Sequence, residues 1–350
     1  MRTATTPPCG PISPFASAAK PSGSTSTPTR PADNSEKGTL MASKQAEQFA
    51  EFLGVLSARS SNPDLDLATV RDIIETMHVA TKEPEGVTYQ EVSAGGVDAL
   101  WCIPADSDPE AVLLHSHLGG SVVASMHSDR KAAAHVASAA GVRSLVVDYR
   151  RSPEHKFPAQ LDDVRRAYDW LLQQGFRPER VASVGHSVGG NLATSLALRL
   201  RDEGAALPAA IVSISPWVDL TLTNETITGN ADRDRLLSRP LLEFFRSAWL
   251  DGTAVGWKDP RVNLLTADLS GLPPIAVYWG TDELLAGEAA EFARRAQAAG
   301  NDVLARAVSD AQHSFIVAAG RVPEVDNAIS EIGAWLRSHL SLATLRDVAK

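Results

Sequence analysis

Cysteine is nearly missing from this chain: among 350 residues only Cys9 and Cys102 carry thiols, one in a proline-rich stretch and one inside an apparent strand. Two thiols in such unlike settings give neither a disulfide framework nor the paired spacing of a structural metal site. Basic charge is short as well. Lys and Arg number 33 against 42 Asp and Glu, a formal net charge of −9, so no basic face is on offer to a phosphate backbone and nucleic acid is not an expected partner. No run of about 18 apolar residues occurs, which excludes a membrane-spanning helix. What is present is 44% hydrophobic and 21% charged, ordinary globular material able to bury a large core. The chemistry therefore falls to Ser, His and carboxylates.

Residues 1–40 are rich in Ser, Thr, Pro and Ala without hydrophobic periodicity; they cannot offset their ordering entropy by burial and are expected to be a disordered tail. The stretch lacks the apolar core of a secretion signal, so a cytoplasmic location is expected, with an organellar targeting peptide or a start at Met41 left open. From Lys44 the pattern turns helical. Ala46, Phe49, Phe52, Leu53 and Leu56 recur at steps of three and four, and Leu67, Val70, Ile73, Ile74 and Met77 repeat the arrangement, predicting two amphipathic helices. Val87–Val92 and Asp98–Ile103, joined around Gly95-Gly96, read as a hairpin. Apolar strands then alternate with helices: Ala111–His115, Ser144–Val147, Val181–Val184, Ala210–Ile214, Ile275–Tyr278 and Val303–Ala307. That alternation predicts an α/β fold, a mostly parallel twisted sheet with helices on both faces and its site at the carboxyl ends of the strands.

Each chemical motif falls at such an end. Gly185-His186-Ser187-Val188-Gly189 follows an apolar strand and opens a helix, so Ser187 is the candidate nucleophile on a strained turn whose flanking glycines allow close approach. His117-Leu118-Gly119-Gly120 ends the Ala111 strand; the amides of Gly119 and Gly120, with that of Val188, are suited to hold an oxyanion. A serine needs a base, and the base needs an orienting acid. His313, after the last strand, is the candidate base. Asp282, after the Ile275 strand, is the candidate acid, favoured by its strand-end position over Glu283 and Glu288. His115 and His117 alternate as a zinc pair would, but no third ligand is indicated, so no metal or cofactor is expected. His186 is expected to pack or hydrogen-bond away from the Ser187 hydroxyl.

Four stretches, with the Asp282 and His313 loops, carry a resemblance covering about residues 87–340: His117-Leu118-Gly119-Gly120, Asp148 to Ala159 around Pro153-Glu154-His155, Gly185-His186-Ser187-Val188-Gly189-Gly190, and Ser215-Pro216-Trp217-Val218-Asp219-Leu220. In these the chain resembles the α/β-hydrolase fold, and specifically the bacterial hormone-sensitive-lipase-like esterases. The resemblance implies an N-terminal helical cap over about residues 41–86, a catalytic domain over about 87–345, and a further cap segment near 220–255. It departs at Leu118, where the family has the first glycine of its triplet, and at His186 and Val188, where an acidic residue and alanine are usual. The implied reaction is hydrolysis of short to medium acyl esters through an acyl-enzyme on Ser187. A lactone hydrolase, a deacetylase or an amidase would use the same machinery. A binding protein on a retired scaffold is the other class; plant gibberellin receptors resemble the family but lack the histidine, and His313 is present here. The expected partner is a small ester or lactone, with a homodimer left open. The apolar density from Leu236 to Leu250 predicts a lid in which Phe244, Phe245 and Trp249, with Leu118, Phe49 and Phe52, enclose the acyl group.

Overall fold

The computed structural model describes residues 42–342; the tail predicted for residues 1–40 lies outside them. Eight strands form one sheet: β1 (Val87–Ala94), β2 (Val97–Pro104), β3 (Asp108–Ser116), β4 (Val142–Val147), β5 (Val181–His186), β6 (Ala210–Ile214), β7 (Ile275–Gly280) and β8 (Val303–Val308). The helices are α1 (Lys44–Ser60), α2 (Leu67–Glu75), α3 (Met126–Ala140), α4 (Ala159–Gln173), α5 (Val188–Asp202), the single turn α6 (Thr226–Gly229), α7 (Arg239–Leu250), α8 (Ala286–Ala298) and α9 (Pro323–His339). Every strand and both N-terminal helices read from the sequence are present, with ends extended by up to a few residues, as expected where hydrogen bonding rather than apolar content sets the limit.

The sheet order is β1-β2-β4-β3-β5-β6-β7-β8. β1 pairs antiparallel with β2, and β2 antiparallel with β4; the remaining pairs are parallel. β5 and β6 are buried along their whole length and β7 along nearly all of it. Helices cover both faces of a parallel sheet, so its strands are continuous apolar runs rather than alternating ones. Each fully buried Val, Leu or Ile there contributes on the order of 1.5–3 kcal/mol by leaving water. The edge strand β8 is different. Its middle residues are exposed, and Arg306 pairs with Glu331 of α9 at 2.8 Å, a charge that blunts an open edge.

From β3 the chain crosses to β4 on one side and then returns to β5 on the other. The carboxyl ends of β3 and β5 therefore flank the point where winding reverses and a crevice opens, the usual place for a ligand. The elements there are packed backbone on backbone. A Cβ on Gly185 would lie 2.2 Å from the Gly189 carbonyl oxygen, and one on Gly189 would lie 2.0 Å from that of Ser116. α2 is drawn over this end by Arg71, whose guanidinium donates to the carbonyls of Val122 and Ser152, each at 2.8 Å, and pairs with Glu154. Among the described residues no helix is long and apolar enough to cross a membrane.

The contact beneath Gly189 yields a direct expectation. Gly189→Ala forces α5 away from β3, and overpacking against backbone costs about 1–3 kcal/mol or more; thermal unfolding should show a midpoint several degrees lower, and an unchanged midpoint would contradict the close approach.

Candidate active site

β5 delivers Ser187 at the start of α5 with φ 58° and ψ −128°, a left-handed backbone that an L-residue adopts only when its surroundings hold it there. Backbone hydrogen bonds do so. The Ser187 amide donates to Ile214 O at 2.9 Å, while its carbonyl accepts from Gly190 N at 3.0 Å and Trp217 N at 3.1 Å. As the first residue of α5, Val188 has an N–H with no intrahelical acceptor, at the positive end of the helix dipole. Beside it the β3 loop turns through Gly119 (φ 112°) and Gly120 (φ 60°), closed by Val122 N and Val123 N donating to Gly119 O at 2.9 and 3.0 Å. Neither glycine could carry a side chain: a Cβ on Gly119 would lie 2.0 Å from Val123 O, and one on Gly120 2.3 Å from the Phe245 ring. His117 braces this loop from below. Its ring stacks on Tyr149 at 4.0 Å, its Nδ1–H donates to Leu118 O at 2.6 Å, and burial lowers its pKa to about 4, keeping it uncharged.

His313 stands across the crevice, 1% exposed. Its Nδ1 donates to Glu283 Oε2 at 2.8 Å, so the acid facing the base is Glu283, not Asp282. Asp282 points outward and pairs with Arg233 at 3.3 Å. The reason is local. Gly280 is pressed against the base loop, a Cβ there lying 2.2 Å from Ala311 O, and the Asp282 amide donates to that same carbonyl at 3.2 Å. With the two loops joined at residue 282, only the next and longer side chain reaches His313. Glu288 is occupied elsewhere, accepting from Val218 N at 2.7 Å and Asp219 N at 3.1 Å. Burial pushes the Glu283 carboxyl up, partly offset by hydrogen bonds from Ser215 and Gly280 N. Burial pushes His313 down to about 4, opposed by the charge of Asp234.

Ser187, His313, Gly119 and Gly120 line one cavity of about 40 Å³, room for the centres of a few water molecules. His313 Nε2 is buried without a hydrogen-bond partner among the described residues, free to take a proton from a serine that comes within reach. The cavity's apolar wall comprises Leu118, Met77, Trp217, Leu236, Leu237 and Phe245, with others. Phe49, Phe52, Phe244 and Trp249 are not part of it. Phe49 faces a separate crevice with Phe315 and Val325, and Phe52 packs partly buried on the core. Phe244 sits beside Phe245, ring centroids 5.9 Å apart. Trp249 is fully buried one turn beyond Phe245, with Nε1–H donating to Gln160 at 2.9 Å. Leu241, Leu242 and Phe245 share the face of α7 that meets the cavity and Phe244 falls outside it; Trp249 lies on the same face as Phe245 but one turn further along the helix, past the cavity, where it bonds Gln160. A wider surface cleft of about 540 Å³ near Arg199 and Arg201 contains neither Ser187 nor His313.

The sequence pattern of the alpha/beta hydrolase fold matches residues 113–317. An acetyl-hydrolase of Streptomyces hygroscopicus is 34% identical over 299 residues, covering 79% of this chain and 97% of the relative. An esterase of Acinetobacter venetianus is 32% identical over 67% of this chain and 78% of its own. The crystal structure of an esterase from the bacterial hormone-sensitive lipase family superposes with a TM-score of 0.82 at 34% identity, over 86% of this chain and all of the other. The chain belongs to the α/β-hydrolase family, among the hormone-sensitive-lipase-like esterases.

Behind Ser187 this hydrolase buries a second polar cluster. His186 Nε2 and His115 Nε2 both lie 2.7 Å from the carboxylate of Asp129, and all three side chains are fully buried. The sequence paired His115 with His117; in the structure His115 is in register with Val184 of β5, so His186, two residues on, shares its face, whereas His117 lies past the end of β3. Distances of 2.7 Å are those of hydrogen bonds, and the Nδ1 atoms of both rings are buried without partners, whereas a metal-bound imidazole has its second nitrogen held. The cluster is a hydrogen-bonded brace linking β3, β5 and α3. Burial raises the Asp129 carboxyl, but attraction to His186 and His115 outweighs it and holds the group well below the usual range. Ser215, with φ 44°, was missed as a supporting residue. Its hydroxyl accepts from Ser314 N at 3.1 Å and bonds Glu283; the Ser-Pro-Trp sequence after β6 was its available signal.

Two variants separate the acids. Glu283→Gln should lower kcat by on the order of 10²–10⁴-fold by failing to orient and stabilise the His313 cation, while Asp282→Asn should cost less than about tenfold; steady-state ester hydrolysis with the reverse ranking would overturn the geometry.

Proposed function

We propose that this carboxylic-ester hydrolase acts on short-chain esters through an acyl-enzyme on Ser187. The Ser187 oxygen adds to the ester carbonyl carbon as His313 Nε2 takes its proton, and the carbonyl oxygen becomes an anion held by the amides of Gly119, Gly120 and Val188. Collapse of this intermediate breaks the bond to the alcohol oxygen, which receives the proton from His313. Water then repeats the sequence on the acyl-serine, releasing the carboxylic acid. Glu283 holds the imidazole with Nδ1 protonated, leaving Nε2 as the acceptor. α1, α2 and the segment around α7 act as the cap over the catalytic domain.

The observation that carries this reading is the shared cavity. It places the elbow serine, an unpartnered imidazole nitrogen and the glycine turn around about 40 Å³ of apolar-walled space. Space of that size takes an acetyl to butyryl group, since a single water needs roughly 10–15 Å³ by the same measure. Longer chains would have to displace Phe245, whose ring rests on Gly120, and so disturb the oxyanion turn.

A nitrophenyl ester series should accordingly give its highest kcat/KM between two and four carbons and decline beyond six, and Ser187→Ala should lose on the order of 10⁴-fold or more while remaining folded. A palmitate optimum, or substantial turnover by the alanine variant, would refute the reading. The pH dependence carries a sign. His313 works as the unprotonated base, and its pKa is lowered from 6.5 to about 4 by burial; activity is therefore held through neutral pH and lost as pH falls through a value below 6.5. Measured kcat/KM with an acid limb centred above 7 would contradict the buried base.

A further inference from the structure

The loop between α6 and α7 is fastened to both halves of the catalytic machinery. Asn230 Nδ2 donates to Thr281 O at 3.0 Å and to Glu283 O at 2.8 Å, gripping the backbone of the acid loop. Gln312, the residue before His313, accepts from Arg235 N at 2.7 Å and donates to Arg233 O at 3.1 Å, gripping the base loop. Between them lies Asp234, 6% exposed. Its Oδ1 accepts from Leu236 N at 2.9 Å and Leu237 N at 2.8 Å; its Oδ2 accepts from Leu284 N, beside Glu283, at 2.8 Å. Leu236 and Leu237 line the acyl cavity, and Leu236 O accepts from Ser57 of α1 at 3.2 Å.

We propose that Asp234 is a positioning residue for hydrolysis, a buried carboxylate that locks the cavity wall to the acid and base loops and supplies a second negative charge for the His313 cation formed during turnover. The inference rests on Ser187 and His313 being the working pair. A local turn would need only the two bonds to Leu236 and Leu237, a common use of aspartate. The bond to Leu284 N, 50 positions away and beside Glu283, the partner of His313, goes beyond it. The carboxyl is raised to about 6 by burial, against lowering by His313 and by the three backbone donors; His313 in turn is raised by Asp234. The other charged groups on the packed elements are Glu283, bonded to His313, Asp282, paired with Arg233, and the exposed Arg235. None replaces Asp234 as a bridge between all three segments.

Asp234→Asn keeps the size and an acceptor for Leu236 and Leu237 but removes the charge. The expected result with nitrophenyl acetate is a kcat about 10-fold or more lower, KM within about threefold, and an acid limb of kcat/KM moved to lower pH, because losing a neighbouring anion weakens the base. A folded variant with unchanged kcat and an unmoved limb would overturn the proposal, as would a loss confined to KM. If the variant does not fold, imidazole ¹⁵N titration of the wild-type enzyme decides: the His313 resonance should sense a second ionisation near pH 6, and a single-step curve would refute the coupling. Ser187→Ala distinguishes the two levels. Activity in that variant sinks the nucleophile itself, whereas an inactive Ser187→Ala beside an unaffected Asp234→Asn sinks only this inference.

Discussion

The close approach of backbone at Gly185, Gly189 and Ser116 is the constraint on which the rest of the site depends. Side chains at either glycine would collide with carbonyl oxygens at about 2 Å, so the carboxyl ends of β3 and β5 and the start of α5 can meet only because these positions are bare. That contact holds Ser187 at φ 58°, sets Val188 at the head of α5, and brings the Gly119-Gly120 turn alongside. Strain at one residue is tolerated because a rigid sheet over-determines it.

Around this point the protein buries several titratable groups, each with its own partners. Glu283 orients His313; Glu288 secures the chain after β6 through Val218 and Asp219; Asp129 ties His115 to His186. A buried carboxylate left alone would be costly, and each of these is held by donors. The arrangement divides the acids by function. Only the one bonded to a base that faces the cavity can take part in proton transfer, and the others stiffen the loops that carry the machinery.

α7 divides its residues in a similar way. α7 turns Leu241, Leu242 and Phe245 to the cavity while Trp249 locks against Trp217, Phe157 and Gln160. One stretch of the helix thus lines the cavity beside Ser187 and the next turn anchors the helix. Phe245 has a double consequence, since its ring both limits the cavity and fills the space over Gly120.

The sequence by itself determined the sheet and the turn that carries Ser187. Apolar runs such as Ala210–Ile214 and Ile275–Tyr278 can be satisfied only between two helical layers, and a Gly-x-Ser-x-Gly turn between a strand and a helix carries its geometry in local backbone requirements. His313 and the glycine turn were legible for the same reason, each standing at the end of an apolar strand. The tertiary structure alone decided which acid faces His313 and which aromatics line the cavity beside Ser187. Asp282 and Glu283 are adjacent and chemically alike; their roles are set by the press of Gly280 on the Ala311 backbone, a contact between loops about 30 residues apart. Phe49, Phe244 and Trp249 share the apolar character of Phe245, and only the placement of each helix over the sheet assigned Phe245 to the cavity and the others to positions outside it. Periodicity fixes which residues share a face, but what that face meets depends on long-range packing.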